Sequence, residues 1–174
     1  TLAQLGRVDE EVRAYDEVVA CFANAPEAAI RKQVVTAFHH KALALDRLGR
    51  GEEKIGVYDE ILARFDGGAE ADAREWVVSA LCDKGLELAN LGRREEAVRV
   101  YDDVVLRFAD VPGVGIRERV AIALLFKGAA LSTLGRKEEA ALAFDEVVVR
   151  FGEDPDPGVR RRVDIARSIR STRR

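Results

Sequence analysis

The chain has 174 residues, of which 48% are hydrophobic and 34% charged, and it carries a formal net charge of −3. This composition is typical of a folded, helix-rich protein and argues against a disordered chain. The charge gives no broad basic field, so nucleic acid is an unlikely partner. No apolar run is long enough to span a membrane and no signal peptide is recognisable, so we expect no membrane contact.

The same sequence pattern occurs four times in the chain, at intervals of 43 residues. Leu-Gly-Arg starts at Leu5, Leu48, Leu91 and Leu134, and an aromatic-Asp pair and a closing Phe follow each copy at the same step. A fixed period of this size indicates an array of units that pack mainly on their neighbours. We expect one repeat array over residues 1–174, with truncated repeats at both ends, as in a piece of a longer protein.

Each repeat contains two predicted helices. After Leu-Gly-Arg comes a short one, such as residues 52–65, with apolar residues three or four apart and an acidic pair in its first turn. A breaker segment follows, and Asp156-Pro157 in the last of these reads as an N-cap and first helical residue. Longer helices are predicted over about 27–47, 72–90, 116–133 and from 159 to the end. Each Leu-Gly-Arg glycine supplies the positive φ of a tight turn.

Neither helix of such a pair can bury its apolar stripe alone, so the pairs must stack. The two helices run antiparallel because a tight turn joins them. Reflection about the turn near Arg93 sets Gly85 opposite Tyr101. A ring against a residue with no side chain lets the two helices approach closely.

The repeated residues resemble the tetratricopeptide repeat. Leu81, Gly85 and Leu88, followed by Gly92, Ala97 and Tyr101, are similar to the family pattern W-x-x-L-G-x-x-Y followed by A-x-x-x-F. The match recurs in register over the whole chain, although each unit is longer than the usual length of about 34 residues. The resemblance implies an all-α fold, a right-handed α-solenoid of antiparallel helix pairs whose longer helices line a concave face, and a protein-binding role.

By resemblance, the residues that line this groove are mostly small or apolar. They are Thr36, His39, Leu43, Arg47, Ser79, Cys82, Leu86, Asn90, Ile122, Leu125, Ala129 and Thr133. Such a lining suits an amphipathic helix or an extended apolar segment of a partner. The alternative is that neighbouring repeats cover it.

In each of three repeats, a lysine before the Leu-Gly turn and an aspartate after it are the same number of residues from the turn. These are Lys41 with Asp59, Lys84 with Asp102, and Lys127 with Asp145. A ladder of ligand-binding charges is one reading. The favoured reading is a structural ion-pair network that sets how the helices stack, although exposed pairs contribute only about 0–1 kcal/mol to stability.

No arrangement of residues indicates catalysis, and we expect no catalytic residue, metal or cofactor. His39 and His40 are adjacent, so on a helix they point about 100° apart and do not chelate one ion together. Cys82 has no histidine at a recognisable spacing. The repeated glycines are turn residues and form no phosphate loop. We therefore expect no enzyme and no small-molecule substrate.

The expected function is that of a protein-interaction scaffold that binds a peptide or helix in the concave groove. Two cysteines without a disulfide framework favour a cytoplasmic setting, and the Ala-, Val- and Arg-heavy composition favours a bacterial protein. One alternative is a structural solenoid that forms homo-oligomers through its uncapped ends. Another is a sensory or regulatory repeat domain of a larger protein. The arginine-rich residues 160–174 could contact nucleic acid or membrane, or form a solvated helix face.

Overall fold

The computed structural model describes residues 2–22, 25, 27–68 and 70–171, and the side chains of these from residue 6 onward. Eight α-helices and no strand occur in these ranges. The helices are α1 (Leu2–Phe22), α2 (Ala28–Arg47), α3 (Gly51–Phe65), α4 (Ala71–Asn90), α5 (Arg94–Phe108), α6 (Val114–Thr133), α7 (Lys137–Phe151) and α8 (Pro157–Ser171). The predicted all-α class is confirmed, with long helices of 20 residues alternating with short ones of 15 after α1.

The chain forms two compact units. Unit one comprises Thr1–Gly67 and unit two comprises Gly68–Arg174. In unit one, α2 packs on both α1 and α3. In unit two, consecutive helices pack on each other, and α4, α6 and α8, which hold equivalent positions in successive repeats, also pack in series. Helix-pair packing is therefore as expected within each unit, while the single array over residues 1–174 stays a prediction.

The Leu-Gly-Arg turns are Schellman motifs. Gly49, Gly92 and Gly135 have φ values of +67°, +81° and +77°, which only glycine adopts readily. In the second of these, the Arg93 amide donates to the Leu88 carbonyl at 2.8 Å and the Gly92 amide donates to the Ala89 carbonyl at 3.1 Å. These bonds satisfy the last carbonyls of the long helix and turn the chain back.

The first Leu-Gly-Arg does not form a turn, contrary to the sequence-based expectation. Gly6 and Arg7 lie inside α1, which runs from Leu2 to Phe22 without interruption. In the other three copies the turn joins two helices that pack on each other, and tertiary packing is what stabilises most helical structure in proteins. Among the described residues, α2 is the helix that packs on α1, and the chain around Gly6 stays helical.

The predicted contact between a ring and a glycine is confirmed in unit two. A Cβ atom placed on Gly85 would lie 2.5 Å from Cε1 of Tyr101, and one on Gly128 would lie 2.6 Å from Cε1 of Phe144. Both rings are buried in their helix pairs. The absence of a side chain at these glycines thus sets the distance between α4 and α5 and between α6 and α7.

The start of α8 is also as predicted. One carboxylate oxygen of Asp156 accepts hydrogen bonds from the amides of Gly158 at 2.8 Å and Val159 at 3.1 Å. Pro157 occupies the first helical position, where its missing amide hydrogen costs nothing. Val159, Val163 and Ala166 then direct one side of α8 into the core of unit two.

Candidate functional site

Partly exposed apolar side chains lie on the long helices of unit two. Because α4 packs on α6 and α6 packs on α8, residues at equivalent positions of these helices are neighbours. We define the long-helix face by Ser79, Leu86 and Asn90 of α4, Ile122, Leu125, Ala129 and Thr133 of α6, and Ile165 of α8. Leu86 is 37% exposed and Ile165 39% exposed, whereas Ile122 and Leu125 are half-buried. Neighbouring repeats therefore cover this face only in part.

Ile165 was absent from the groove residues expected from the sequence. It stands 43 residues after Ile122, so the repeat step that located the other positions also locates this one. Ile165 lies in an arginine-rich stretch, so charged residues dominate its neighbourhood in the sequence. Its exposure extends the long-helix face onto α8.

Cys82 does not line the groove, which corrects the expectation from the sequence. Only 2% of its surface is exposed, and its Sγ donates a hydrogen bond to the Arg119 carbonyl at 3.5 Å. Burial raises the pKa of the Cys82 thiol to about 12. The reason is geometric, because α6 packs over this side of α4. Cys82 is a core residue between two long helices.

In unit one, the expected groove residues are Thr36, His39, Leu43 and Arg47 of α2. Leu43 is 61% exposed and His39 is half-buried. The Thr36 hydroxyl donates to the Lys32 carbonyl at 3.0 Å, and Arg47 pairs with Glu11 of α1. The Thr133 hydroxyl of unit two likewise donates to the Ala129 carbonyl at 3.0 Å. These polar groups are thus engaged within their own units, and Leu43 is the accessible apolar group of α2.

Lys41 and Lys127 pair with aspartates on different helices from those expected. Lys127 lies 2.5 Å from Asp102, and the register-equivalent Arg170 lies 2.6 Å from Asp145. In unit one, Lys41 lies 2.5 Å from Asp16 and 3.8 Å from Glu60. In each of the three pairs at 2.5–2.6 Å, the aspartate lies on one helix and the cation lies on the next helix, 25 residues later in the sequence. For Lys41 and Lys127, the expected pairing within one helix pair is therefore corrected to pairing between consecutive repeats.

The direction of the side chains around each helix explains this difference. Gly128 faces Phe144 of α7, and the preceding residue Lys127 points about 100° away from it. That rotation turns Lys127 toward α5, where Asp102 follows the ring of Tyr101. Two residues at equal distance from the turn lie at the same level along the axes of the two helices. The direction in which each side chain points around its helix is independent of that level.

The expected network also includes Asp59 and Lys84. Asp59 is exposed on α3, and Lys84 is half-buried on α4. The Arg93 side chain lowers the pKa of the Glu96 carboxyl mainly through its hydrogen bonds, and the charge of Lys84 adds to this effect. Arg93 holds both oxygens of Glu96, at 2.6 and 2.7 Å, across the first turn of α5. Arg136 holds both oxygens of Glu139 in the same way in α7, at 2.7 and 2.5 Å.

Aromatic stacking accompanies the ion pairs between repeats. The ring of His40 stacks on Tyr15 with centroids 5.7 Å apart, and the ring of Phe126 packs on Tyr101 with centroids 6.2 Å apart. In both cases the ring directly precedes the lysine of the ion pair. His40 thus has a packing role. Across the residues for which coordinates are described, no cluster of His, Cys, Asp and Glu could hold a metal ion.

Residues 82–156 match the tetratricopeptide repeat family model. This segment belongs to the tetratricopeptide repeat family. Neither the comparison with curated proteins nor that with solved structures gives a match. The tetratricopeptide segment includes both ring–glycine contacts, the Lys127–Asp102 pair and most of the long-helix face. Repeats of this family generally mediate protein–protein interaction.

Among the helices as described, none combines the length and apolar character needed to cross a bilayer.

Proposed function

We propose that the chain is a protein-interaction module that holds a peptide or helix of a partner protein on the long-helix face. The main support is that Leu86 and Ile165 keep 37% and 39% of their surface exposed on helices packed in series. Ile122 and Leu125 lie on α6, the helix that packs on both α4 and α8, and are only half-buried. Contiguous apolar surface bordered by polar residues is typical of protein-binding sites.

The charges near this face favour an apolar partner segment. Arg119 lies 3.5 Å from Asp83, and Arg162 lies 3.1 Å from Glu118, so these cations already have acidic neighbours. Ser79, Asn90 and Thr133 supply small polar groups at the border. An amphipathic helix or an extended segment with its apolar side toward Leu86 and Leu125 fits this chemistry. Burial would contribute about 25 cal/mol per Å² of apolar area, less the cost of ordering the segment.

The arginines of α8 support a solvated helix rather than a nucleic-acid or membrane site. Arg162, Arg167 and Arg170 lie within 4 Å of Glu118, Asp164 and Asp145, respectively. These carboxylates neutralise much of the positive charge of α8. The proposed module has no catalytic role, and its two free thiols, Cys21 and Cys82, fit a cytoplasmic setting.

The surface of α8 also disfavours self-assembly through the C-terminal helix. On α6 and α4, the positions that pack against the following short helix are Ala121, Leu124 and Gly128, and Val78, Leu81 and Gly85, all buried. The equivalent residues of α8 are Asp164, Arg167 and Ser171, all exposed. An incoming helix would bury a charge pair here, and the cost of removing both charges from water can exceed their mutual attraction.

Selection from a random peptide library displayed on phage would test the proposed function. Peptides selected on the wild-type chain would be labelled, and their binding measured by fluorescence anisotropy. We expect Leu86→Glu to abolish binding. Leu106→Glu is the matched control, since Leu106 is 86% exposed on α5, away from the long-helix face. Equal binding to both variants, or loss only with Leu106→Glu, would contradict the proposal.

A further inference from the structure

Charged side chains border the long-helix face at equivalent positions of α4, α6 and α8. They are Glu75, Glu118 and Arg161, which follow one another at the 43-residue repeat step. Each lies four residues before a residue of the face, as Arg161 does before Ile165, and residues four apart on a helix are neighbours on its surface. Because α4 packs on α6 and α6 packs on α8, the three side chains form one row beside the face, which we term the charged row.

The α4 end of the charged row is negative. Glu75 is exposed, and it has no ion-pair partner within the described part of the chain. A Cβ atom placed on Gly115 of α6 would lie 3.1 Å from Oε1 of Glu75, so this side chain extends from α4 toward α6. Asp72, three residues earlier on α4, is also exposed and adds to the negative charge.

The α8 end of the charged row is positive. Arg161 is exposed, and it too has no ion-pair partner among the residues that the structure describes. The cations nearest to the face are compensated, because Arg162 lies 3.1 Å from Glu118 and Arg119 lies 3.5 Å from Asp83. The charged row therefore runs from a negative end on α4 to a positive end on α8, with compensated charges between them.

We propose that the partner segment carries a basic residue at one end, apolar residues in the middle and an acidic residue at the other end. It lies across the long-helix face in one orientation, with its basic end on α4 and its acidic end on α8. This inference rests on the proposed function, because it requires that the face binds a protein segment. Apolar burial supplies most of the affinity, whereas charges at the border of an interface act mainly on specificity and on the association rate.

The helix spacing predicts how far apart the two charges of the partner are. Packed helices lie about 8–10 Å apart, so Glu75 and Arg161, which are separated by two such steps, lie roughly 16–20 Å apart. An extended chain advances about 3.3 Å per residue. We therefore expect the basic and the acidic residue of an extended segment to be about five or six residues apart.

An exchange of charges tests the orientation. The probes are phage-selected peptides that bind the wild-type chain and lose binding with Leu86→Glu. In the double variant Glu75→Lys, Arg161→Glu, we expect them to bind about tenfold more weakly, because like charges then meet at both ends. A synthetic peptide in which the acidic and the basic residue change places should prefer the double variant to the wild type.

An equal exchange of charges on the short helices is the matched control. Glu138 of α7 and Arg99 of α5 are both exposed, and the double variant Glu138→Lys, Arg99→Glu should bind the peptides as the wild type does. The single variants Glu75→Gln and Arg161→Gln are milder changes at the same two positions. Each should weaken binding about two- to fivefold and reduce the effect of salt on the association rate. Urea midpoints close to that of the wild type would show that the variants remain folded.

The possible failures are distinguishable. If no selected peptide depends on Leu86, the proposed function is wrong and this inference is wrong with it. If the peptides depend on Leu86 but bind the wild type and the Glu75→Lys, Arg161→Glu variant equally, only the proposed orientation is wrong. The same conclusion follows if the selected peptides contain no acidic and basic residues, or if the control variant weakens binding as much as the exchange on α4 and α8.

Discussion

The ammonium group of Lys127 on α6 lies 2.5 Å from the carboxylate of Asp102 on α5, and this ion pair joins one repeat to the next. The residue before Lys127 and the residue before Asp102 are aromatic, and their rings also pack together. A ring–charge dipeptide on each helix thus fixes the contact between a short helix and the following long helix. The pair His40-Lys41 meets Tyr15-Asp16 in the same way in unit one.

This geometry predicts which residues are energetically coupled. Asp102→Ala should lower the free energy of unfolding by about 0.5–1 kcal/mol, since Asp102 is partly exposed and its pairing is screened by water. In double-mutant cycles measured by urea unfolding, Asp102→Ala should be coupled to Lys127→Met. It should be additive with Lys84→Met. Coupling to Lys84 in place of Lys127 would show that the pairing lies within one helix pair.

Gly85→Ala should destabilise unit two. The new Cβ would lie 2.5 Å from the Tyr101 ring, so the ring or the whole helix must shift. We expect a loss of about 1–3 kcal/mol, typical of overpacking in a well-packed core. Gly56→Ala, at an open helical position, should instead add about 0.5–1 kcal/mol. Equal effects of the two substitutions would contradict the proposed close approach of α4 and α5.

Tyr101→Phe should raise the free energy of unfolding by about 1 kcal/mol. The Tyr101 hydroxyl is buried and has no hydrogen-bond partner among the described residues. The register-equivalent residue of α7, Phe144, packs on Gly128 without a hydroxyl. Tyr15→Phe, at a half-buried position, serves as the control and should change stability little. A loss of stability in Tyr101→Phe would show that an ordered water satisfies the hydroxyl.

The buried thiol of Cys82 should make stability fall at alkaline pH. Its pKa in the folded protein is raised to about 12, above the usual thiol value of about 9. Above the unfolded value, the unfolded state loses this proton while the folded state keeps it, so folding stability decreases as pH rises from about 9 to about 12. Urea unfolding across this range should show a smaller decrease for Cys82→Ala. An unchanged slope would place Cys82 in contact with water.

Thiol labelling gives an independent check of the same burial. With a chromogenic disulfide reagent at mildly alkaline pH, Cys21 should react at once because it is exposed. Cys82 should react only on unfolding, and the Cys21→Ser variant should therefore show no fast phase. A fast phase in that variant would show that the Cys82 thiol is accessible to solvent, as expected of a groove residue.

Several features could be predicted from the sequence because they depend on local chemistry at a fixed repeat step. Gly92 must follow the long helix because its carbonyls need a left-handed residue for the turn. Gly85 must face Tyr101 because the turn makes α4 and α5 antiparallel, so residues at equal distance from it lie at the same height. Helix boundaries, the all-α class and the tetratricopeptide resemblance of residues 82–156 follow from such short-range rules.

Other features depend on which helices pack together, and the tertiary structure alone decides them. The angle of Lys127 around α6 selects Asp102 over Asp145, although both are at suitable sequence positions. Packing of α6 over α4 removes Cys82 from the groove and leaves Leu86 accessible. Gly6 has the same neighbours in sequence as Gly92, but it lies inside the continuous helix α1, where the described residues supply no second helix for a turn to join. Sequence thus determines where turns and apolar helix faces are possible. The packing partner of each helix determines which turns form and which faces are buried.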